Sequence, residues 1–364
     1  MIAARISGTE PSLAGLVRLE EPEFYLDPHP VYDRMRIEQP VYYYAPLDIF
    51  VLTRHADMRA VARRPDLFSS VRGVVLSQLQ NERDGATEIM DQFIDPEGEI
   101  FAFTDPPRHR ELRKVLMPAF SPRAVHAMAA QIRESCRLLV ASISPGAVTD
   151  VVDQIAAPLP IGVATRLLGV PREHAADIKR WSDARELLTS GAGSRARLRR
   201  AAAVFAEMNG FLREQFAAKR ARPGDNLMSV LLSEELDGVP LSEPRLLTYC
   251  HQVLSVGNDT TRSLLACFAI AFDPAVFPHP QRFSIRRDQD QQHLAFGFGP
   301  HVCIAGQLVR LVTALLFGEL LDRFPGFELA GPPQPILHVL RNGWRSAPMI
   351  FRTSRVSRQA GTDS

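Results

Sequence analysis

Cysteine is scarce in this chain: four in 364 residues, at Cys136, Cys250, Cys267 and Cys303. No Cys-x-x-Cys pair and no His-rich tract at zinc spacing accompanies them, which excludes a disulfide framework and a zinc ribbon. A reducing, cytoplasmic location is the expectation. An excess of charge of one sign is also missing. Lys and Arg number 42 against 41 Asp and Glu, a net +1, so there is no electrostatic footprint for a nucleic acid and no polybasic membrane tether. Long apolar runs are absent too: Ile155–Ala164 and Leu264–Phe272 fall well short of the ~18 residues of a spanning helix. Met1–Glu20 lacks the apolar centre of a secretory signal.

What is present is ordinary globular composition, 46% hydrophobic and 23% charged, in a chain long enough to bury roughly three quarters of its surface. The patterning predicts a mainly α protein with a small β portion (α+β), one domain over 1–364, with flexible tails at 1–20 and 354–364. Strands are expected at Val41–Tyr44 and Ile49–Leu52, around a turn at Pro46–Asp48. Short helices are expected at 31–38 and 54–63, and a long loop at 71–103. Helices then follow at about 107–117, 122–142, 153–168, 173–189, 196–220 and 225–236. A long one runs over 242–271 with Ser242 as N-cap, and another over 307–323. Strand-like pieces at Ile336–Leu340 and Met349–Arg352 close the chain. The basic clusters Arg195–Arg200 and Lys219–Arg222 read as solvated helix faces.

One cysteine differs from the rest. Cys136, Cys250 and Cys267 sit in apolar helical surroundings and read as inert core thiols. Cys303 lies in Phe296-Gly297-Phe298-Gly299-Pro300-His301-Val302-Cys303-Ile304-Ala305-Gly306, a turn-rich loop feeding directly into an apolar helix. Backbone N–H groups and a helix N-terminus there favour a thiolate. The flanking glycines and Ala305 leave room for a flat, bulky group against the backbone. A glycine-rich turn around a buried cysteine is the plain alternative on spacing alone.

Phe-x-x-Gly-x-His-x-Cys closely resembles the haem-binding loop of the cytochrome P450 superfamily, the haem-thiolate monooxygenases, and further segments follow in that family's order. Thr104-Asp105-Pro106-Pro107-Arg108-His109-Arg110-Glu111-Leu112-Arg113 is similar to the helix whose His and Arg hold the haem propionates. Val256-Gly257-Asn258-Asp259-Thr260-Thr261 resembles the oxygen-binding stretch of the central helix. Pro223–Ser229 and Pro280-Gln281-Arg282-Phe283 match two further family segments. The resemblance implies haem b, with Cys303 as the iron ligand and His109, Arg113, Gly257, Phe296, Gly299, His301 and Ala305 around the cofactor. Asp259 and Thr260 would be the catalytic proton-handling pair, in a helix that opens locally beside oxygen. It also implies O2, an apolar small-molecule substrate, and electrons from NAD(P)H through a reductase and a ferredoxin or flavodoxin-type carrier. His109 and Arg113, at i and i+4, share one helical face and can grip a pair of carboxylates.

The chain also departs from the family. Only eleven residues separate Thr261 from Asp273, where the family places two more helices, one bearing Glu-x-x-Arg, and several strands. The segment is missing at about 269–273. The one Glu-x-x-Arg here, Glu134 to Arg137, lies far upstream. Val256 and Ala305 stand where the family usually has smaller residues. Two readings follow: a haem-thiolate monooxygenase, or a catalytically inactive, internally deleted remnant that binds haem weakly or not at all. Loss of the Glu-x-x-Arg helix leaves Arg282 without its family partner, and 272–301 is expected to be the least well-packed region.

Overall fold

A strict two-residue alternation organises the N-terminal part. In a computed structural model describing residues 12–72, 99–190, 195–264, 276, 279, 293–336 and 343–353, helix α1 (His29–Glu38) leads into strands β1 (Val41–Tyr44) and β2 (Ile49–Leu52). The strands pair antiparallel, Val41 opposite Leu52 and Tyr44 opposite Ile49. Tyr42 and Tyr44 face inward onto Met35 and Leu47, while Val41 and Tyr43 face outward, as a period of two requires. Leu13, Val17 and Leu19, inside the stretch expected to be a flexible tail, are buried in this same cluster. Helix α2 (His55–Ala62) follows.

The helical body carries the main core. It comprises α3 (Arg108–Leu116), α4 (Pro122–Ala127), α5 (Ala129–Ala141), α6 (Pro158–Leu168), α7 (Ala175–Ser190), α8 (Arg195–Ala221), α9 (Leu227–Leu231), α10 (Glu243–Leu264) and α11 (Gly306–Arg323). α7 packs on α8, α5 on α11, and α6 on α10. Their shared apolar interior includes Leu112, Leu116, Ile155, Leu168, Phe216, Tyr249 and Phe324. A three-stranded antiparallel sheet closes one side, β3 (Val148–Asp150) and β6 (Gly326–Leu329) flanking β9 (Pro348–Arg352). The Asp150 carboxylate accepts the N–H groups of Val152 and Ala347 at 2.9 and 3.2 Å, pinning that sheet to the next helix.

Several expectations need correction. The single helix at 122–142 is two helices meeting at Met128, and 153–168 begins with a π-turn at Val152–Ala156. The helix at 225–236 is only α9, capped by Asn226 accepting from Ser229 N. A hairpin follows, β4 (Glu235–Leu236) with β5 (Val239–Pro240). Its turn residues Asp237 and Gly238 both have positive φ, 60° and 75°, the tight turn that Asp-Gly favours. Ser242 does not cap α10: its Oγ is buried without a hydrogen-bond partner. Near the C-terminus the strands are β7 (Gln334–Pro335) and β8 (Trp344–Ser346), and 337–340 lies outside the described residues. So do 73–98 of the expected loop, Cys267, and Arg282 with most of its segment.

Glu134 and Arg137 pair with each other on the exposed face of α5 at 2.7 Å, which is an ordinary i, i+3 surface pair. Among the described residues, no helix is long and apolar enough to cross a membrane.

One buried hydrogen bond ties α10 to α3: the Tyr249 hydroxyl donates to the Leu112 carbonyl at 2.8 Å. Tyr249→Phe leaves that carbonyl short of an acceptor's partner in the core. It should lower stability by about 1–2 kcal/mol, read as a drop in the urea midpoint; an unchanged midpoint would remove this tie from the account.

Candidate functional site

The cysteine loop is built by backbone closure at the start of α11. Cys303 N donates to the Phe296 carbonyl at 2.7 Å, and Val302 N to that of Gly299 at 3.2 Å. Gly297 and Gly299 take positive φ, 72° and 73°, a conformation that glycine tolerates without strain. A Cβ at Gly299 would collide with the Ala62 carbonyl oxygen at the end of α2, so this glycine admits a neighbouring helix. Two aromatic side chains fix the loop from outside. The guanidinium groups of Arg59 on α2 and of Arg63, just past its end, lie 4.4 and 4.8 Å from the centre of the Phe298 ring. Arg310 on α11 lies 4.5 Å from that of Phe296. Such contacts are each worth about 0.5–1 kcal/mol at exposed positions.

The half-buried Cys303 thiol is held above its usual range, because burial outweighs what opposes it. The Ala305 N–H on the sulfur and the positive charges of Arg113 and Arg310 all pull the other way. The expectation that the loop by itself favours thiolate is therefore reversed in direction, although its ingredients are present. Cys136 and Cys250 are fully buried, and burial pushes both thiols up to about 12, as expected of core thiols.

α3 presents its functional side chains to this loop. His109 is 1% exposed, and its ring centre is 4.1 Å from that of His301. Burial, assisted by the repulsion that two protonated rings would feel and by the charge of Arg113, lowers His109 to about 4. Both ring nitrogens of His109 and Nε2 of His301 are buried without a hydrogen-bond partner. Arg113, one turn further along, is half-buried, with its guanidinium depressed by burial and favoured by the Cys303 sulfur. Sequence reasoning missed Asp105, whose carboxyl accepts Ser70 N at 2.8 Å and interacts electrostatically with both histidines.

An apolar pocket adjoins the loop. Its wall includes Ile304, Ala305, Leu308 and Val309 from the start of α11 and Gln252 and Val253 from α10. Phe101, Leu116, Phe120 and residues of α6 complete it. Cys303, His109 and His301 lie beside this wall without forming it. α10 is α-helical through Gly257, Asp259 and Thr260, so the local opening expected there is not seen; the Gly penalty of ~1 kcal/mol is small enough for a packed helix to absorb.

The arrangement fits haem. Buried imidazole nitrogens lacking partners, beside a half-buried guanidinium, form a donor set that awaits anionic acceptors; two carboxylates of a flat apolar group would supply them. Comparison with known proteins agrees. Residues 259–338 match the family model described as Cytochrome P450. Cytochrome P450 109 of Bacillus spizizenii is 30% identical over 262 residues, 70% of this chain and 58% of that protein. Steroid C26-monooxygenase of Mycobacterium tuberculosis is 28% identical over 412 aligned positions, covering 93% of this chain and 98% of that protein. Linalool 8-monooxygenase of Pseudomonas putida is 25% identical, covering 92% and 98%. The solved bacillaene polyketide synthase cytochrome P450 PksS of Bacillus subtilis superposes with a TM-score of 0.78 at 22% identity, covering 92% of this chain and all of that one. The fold and the cysteine loop define a P450-type architecture, and the chain belongs to the cytochrome P450 family. The 412 aligned positions exceed the chain's 364 residues, so that relative carries residues with no counterpart here.

A pH dependence follows from His109. The unfolded ring takes a proton below its ordinary 6.5, whereas the folded ring does so only near 4. The unfolded state thus binds more protons between those values, and stability falls as pH drops through that window. His251, buried and lowered to about 3, adds the same sign. The urea midpoint of protein purified without added haem should fall from about pH 7 to about pH 5, less steeply in His109→Asn. A pH-independent midpoint would contradict a buried, neutral His109.

Proposed function

We propose that this chain is a haem-thiolate monooxygenase of bacterial type, binding haem b through Cys303 and inserting one atom of O2 into an apolar small molecule. The observation that carries the reading is the convergence at one place of the Cys303 loop, the unpartnered imidazole nitrogens of His109 and His301, and the half-buried Arg113 guanidinium. When bound, the haem supplies the oxygen activation and the C–H chemistry, with thiolate ligation favouring O–O cleavage.

The chain's own residues have the remaining work. His109, His301 and Arg113 bind the two propionates, and the Arg113 charge also stabilises the Cys303 thiolate, which burial alone disfavours. The Ala305 N–H donates to the same sulfur and orients it. Phe296 and Ala305 pack the loop against the cofactor, and Gly257 keeps α10 free of a side chain at that position. Asp259 and Thr260 stand seven residues beyond Gln252 and Val253, the two α10 residues on the cavity wall. That separation returns to nearly the same angular register after two turns. By the family resemblance, the Thr260 hydroxyl holds a proton for the reaction and the Asp259 carboxyl replaces it. The walls Leu116, Phe120, Val163 and Leu308 exclude water and suit an apolar substrate. This accords with the names of the linalool and steroid monooxygenases among its relatives. Arg59, Arg63 and Arg310 around the loop suit an acidic ferredoxin or flavodoxin-type carrier fed from NAD(P)H, and a cytoplasmic location accords with that supply.

The remnant reading draws on one observation, the relatives' extra residues. An absorbance spectrum of the reduced, carbon-monoxide-treated protein separates the two. A strongly red-shifted Soret band should appear in the wild type and vanish in Cys303→Ser, while Cys136→Ser and Cys250→Ser keep it. No such band in haem-reconstituted wild type would favour the remnant. In turnover, Thr260→Ala should divert electrons from product to peroxide, and Asp259→Asn should slow oxygen consumption with haem retained. Normal coupling in Thr260→Ala would leave that segment of α10 a packing element only.

A further inference from the structure

Helix α3 begins in an ion cluster that joins four separate parts of the chain. Arg108, its first residue, donates from Nε and Nη2 to the Glu99 carboxylate at 3.0 and 2.6 Å. Its Nη1 donates to Asp237 at 2.8 and 2.9 Å and to Glu111 at 3.0 Å. Glu99 accepts in addition from Arg245 Nη2 at 3.1 Å, from the first turn of α10. Asp237 is presented by the β4–β5 turn, in the left-handed conformation at φ 60°. Two guanidinium groups therefore hold three carboxylates from the segment before α3, from α3 itself and from the hairpin.

The centre of the cluster is better sheltered than a surface pair, although Glu111 and Asp237 on its rim are half-exposed. Arg108, Glu99 and Arg245 side chains are 26%, 28% and 19% exposed, against 58% and 54% for Arg137 and Glu134. Screening by water and salt is correspondingly weaker. The planar fork of Arg108 also fixes direction, which a point charge does not.

Adjacent helix positions differ by about 100° in direction, so Arg108 can sit in this cluster while His109 meets His301. A roll of about 20° would move side-chain tips roughly 2 Å on a helix of this radius, enough to break hydrogen-bond geometry on either side. Apolar packing of Leu112 and Leu116 resists such a roll far less sharply than a bidentate fork.

We propose that Arg108 is a positioning residue: by gathering Glu99, Glu111 and Asp237, it fixes the roll of α3 and keeps His109 and Arg113 turned to the cysteine loop. The β4–β5 hairpin gains a role from this, as the carrier of Asp237. The positioning stands on the contacts within the chain, and its effect on cofactor binding rests on the function proposed above.

The test uses the full chain and two readouts. The first is the rate at which diethyl pyrocarbonate modifies His109, followed by peptide mass spectrometry. The second is the dissociation constant for added hemin, from a Soret titration. Arg108→Gln should raise the His109 rate about tenfold, the scale of losing hydrogen bonds to charged groups, and weaken hemin binding. Asp237→Asn should do both to a smaller degree. Arg108→Lys should recover little, because one ammonium cannot serve three carboxylates, and Arg137→Gln should change neither readout. Unchanged His109 shielding in Arg108→Gln and Asp237→Asn would overturn the proposal. Should Arg108→Gln fail to fold, Asp237→Asn, altering a half-exposed partner, decides it alone. Wild type that binds no hemin would count against the proposed function, while the His109 rates still decide the role of Arg108.

Discussion

The close, tilted contact between His109 and His301, ring centres 4.1 Å apart, is the constraint on which the site depends. Burial pushes both imidazoles toward the neutral form, and both His109 nitrogens and Nε2 of His301 lack partners within the chain. Desolvated polar atoms of that kind are costly unless an acceptor arrives from elsewhere. The rings also make one unit of α3 and the cysteine loop, elements separated by nearly two hundred residues. α3 is anchored behind by Arg108 and Tyr249, and the loop by Phe298 under its two arginines. The contact is thus gripped from both sides, and the half-buried guanidinium of Arg113 falls beside it.

Cys303 shows the same economy of opposing forces. Burial raises its thiol, while an N–H donor and two guanidinium charges lower it. None of these is large enough to leave a free thiolate in the protein alone. A strongly bound cation at the sulfur would tip the balance, since a coordinating thiol is deprotonated outright. The inert Cys136 and Cys250 lack every one of the opposing groups except weak local ones, and stay protonated.

Legibility in the sequence followed the range of the interactions. The i, i+4 spacing of His109 and Arg113, the two strands at 41–44 and 49–52, and the helix after Cys303 are local patterns, and each is where the sequence places it. β3 was unreadable because Val148–Asp150 pairs with residues near 350, and three residues carry no period. The β4–β5 hairpin was readable in principle from Asp237-Gly238, but the apolar spacing of 227–236 resembles a helix. At Gly299 the limit is subtler: a glycine announces close approach without saying what approaches, and the structure adds the Ala62 carbonyl. Arg59, Arg63 and Arg310 have no distinguishing sequence context at all. Their meaning comes only from the rings they cover.

The β1–β2 hairpin has no third strand among the described residues, and its outer face carries Val41, Tyr43 and Phe50, the last 68% exposed. Open edges joined to an apolar face form a template for a further strand. Encounters between two such templates scale with the square of chain concentration, whereas closing the helical body around its core is a first-order event. The competition between them is set by dilution. The same polypeptide can therefore mature cleanly when synthesised slowly and be lost to association when produced in bulk, with no residue of the haem pocket involved in the difference.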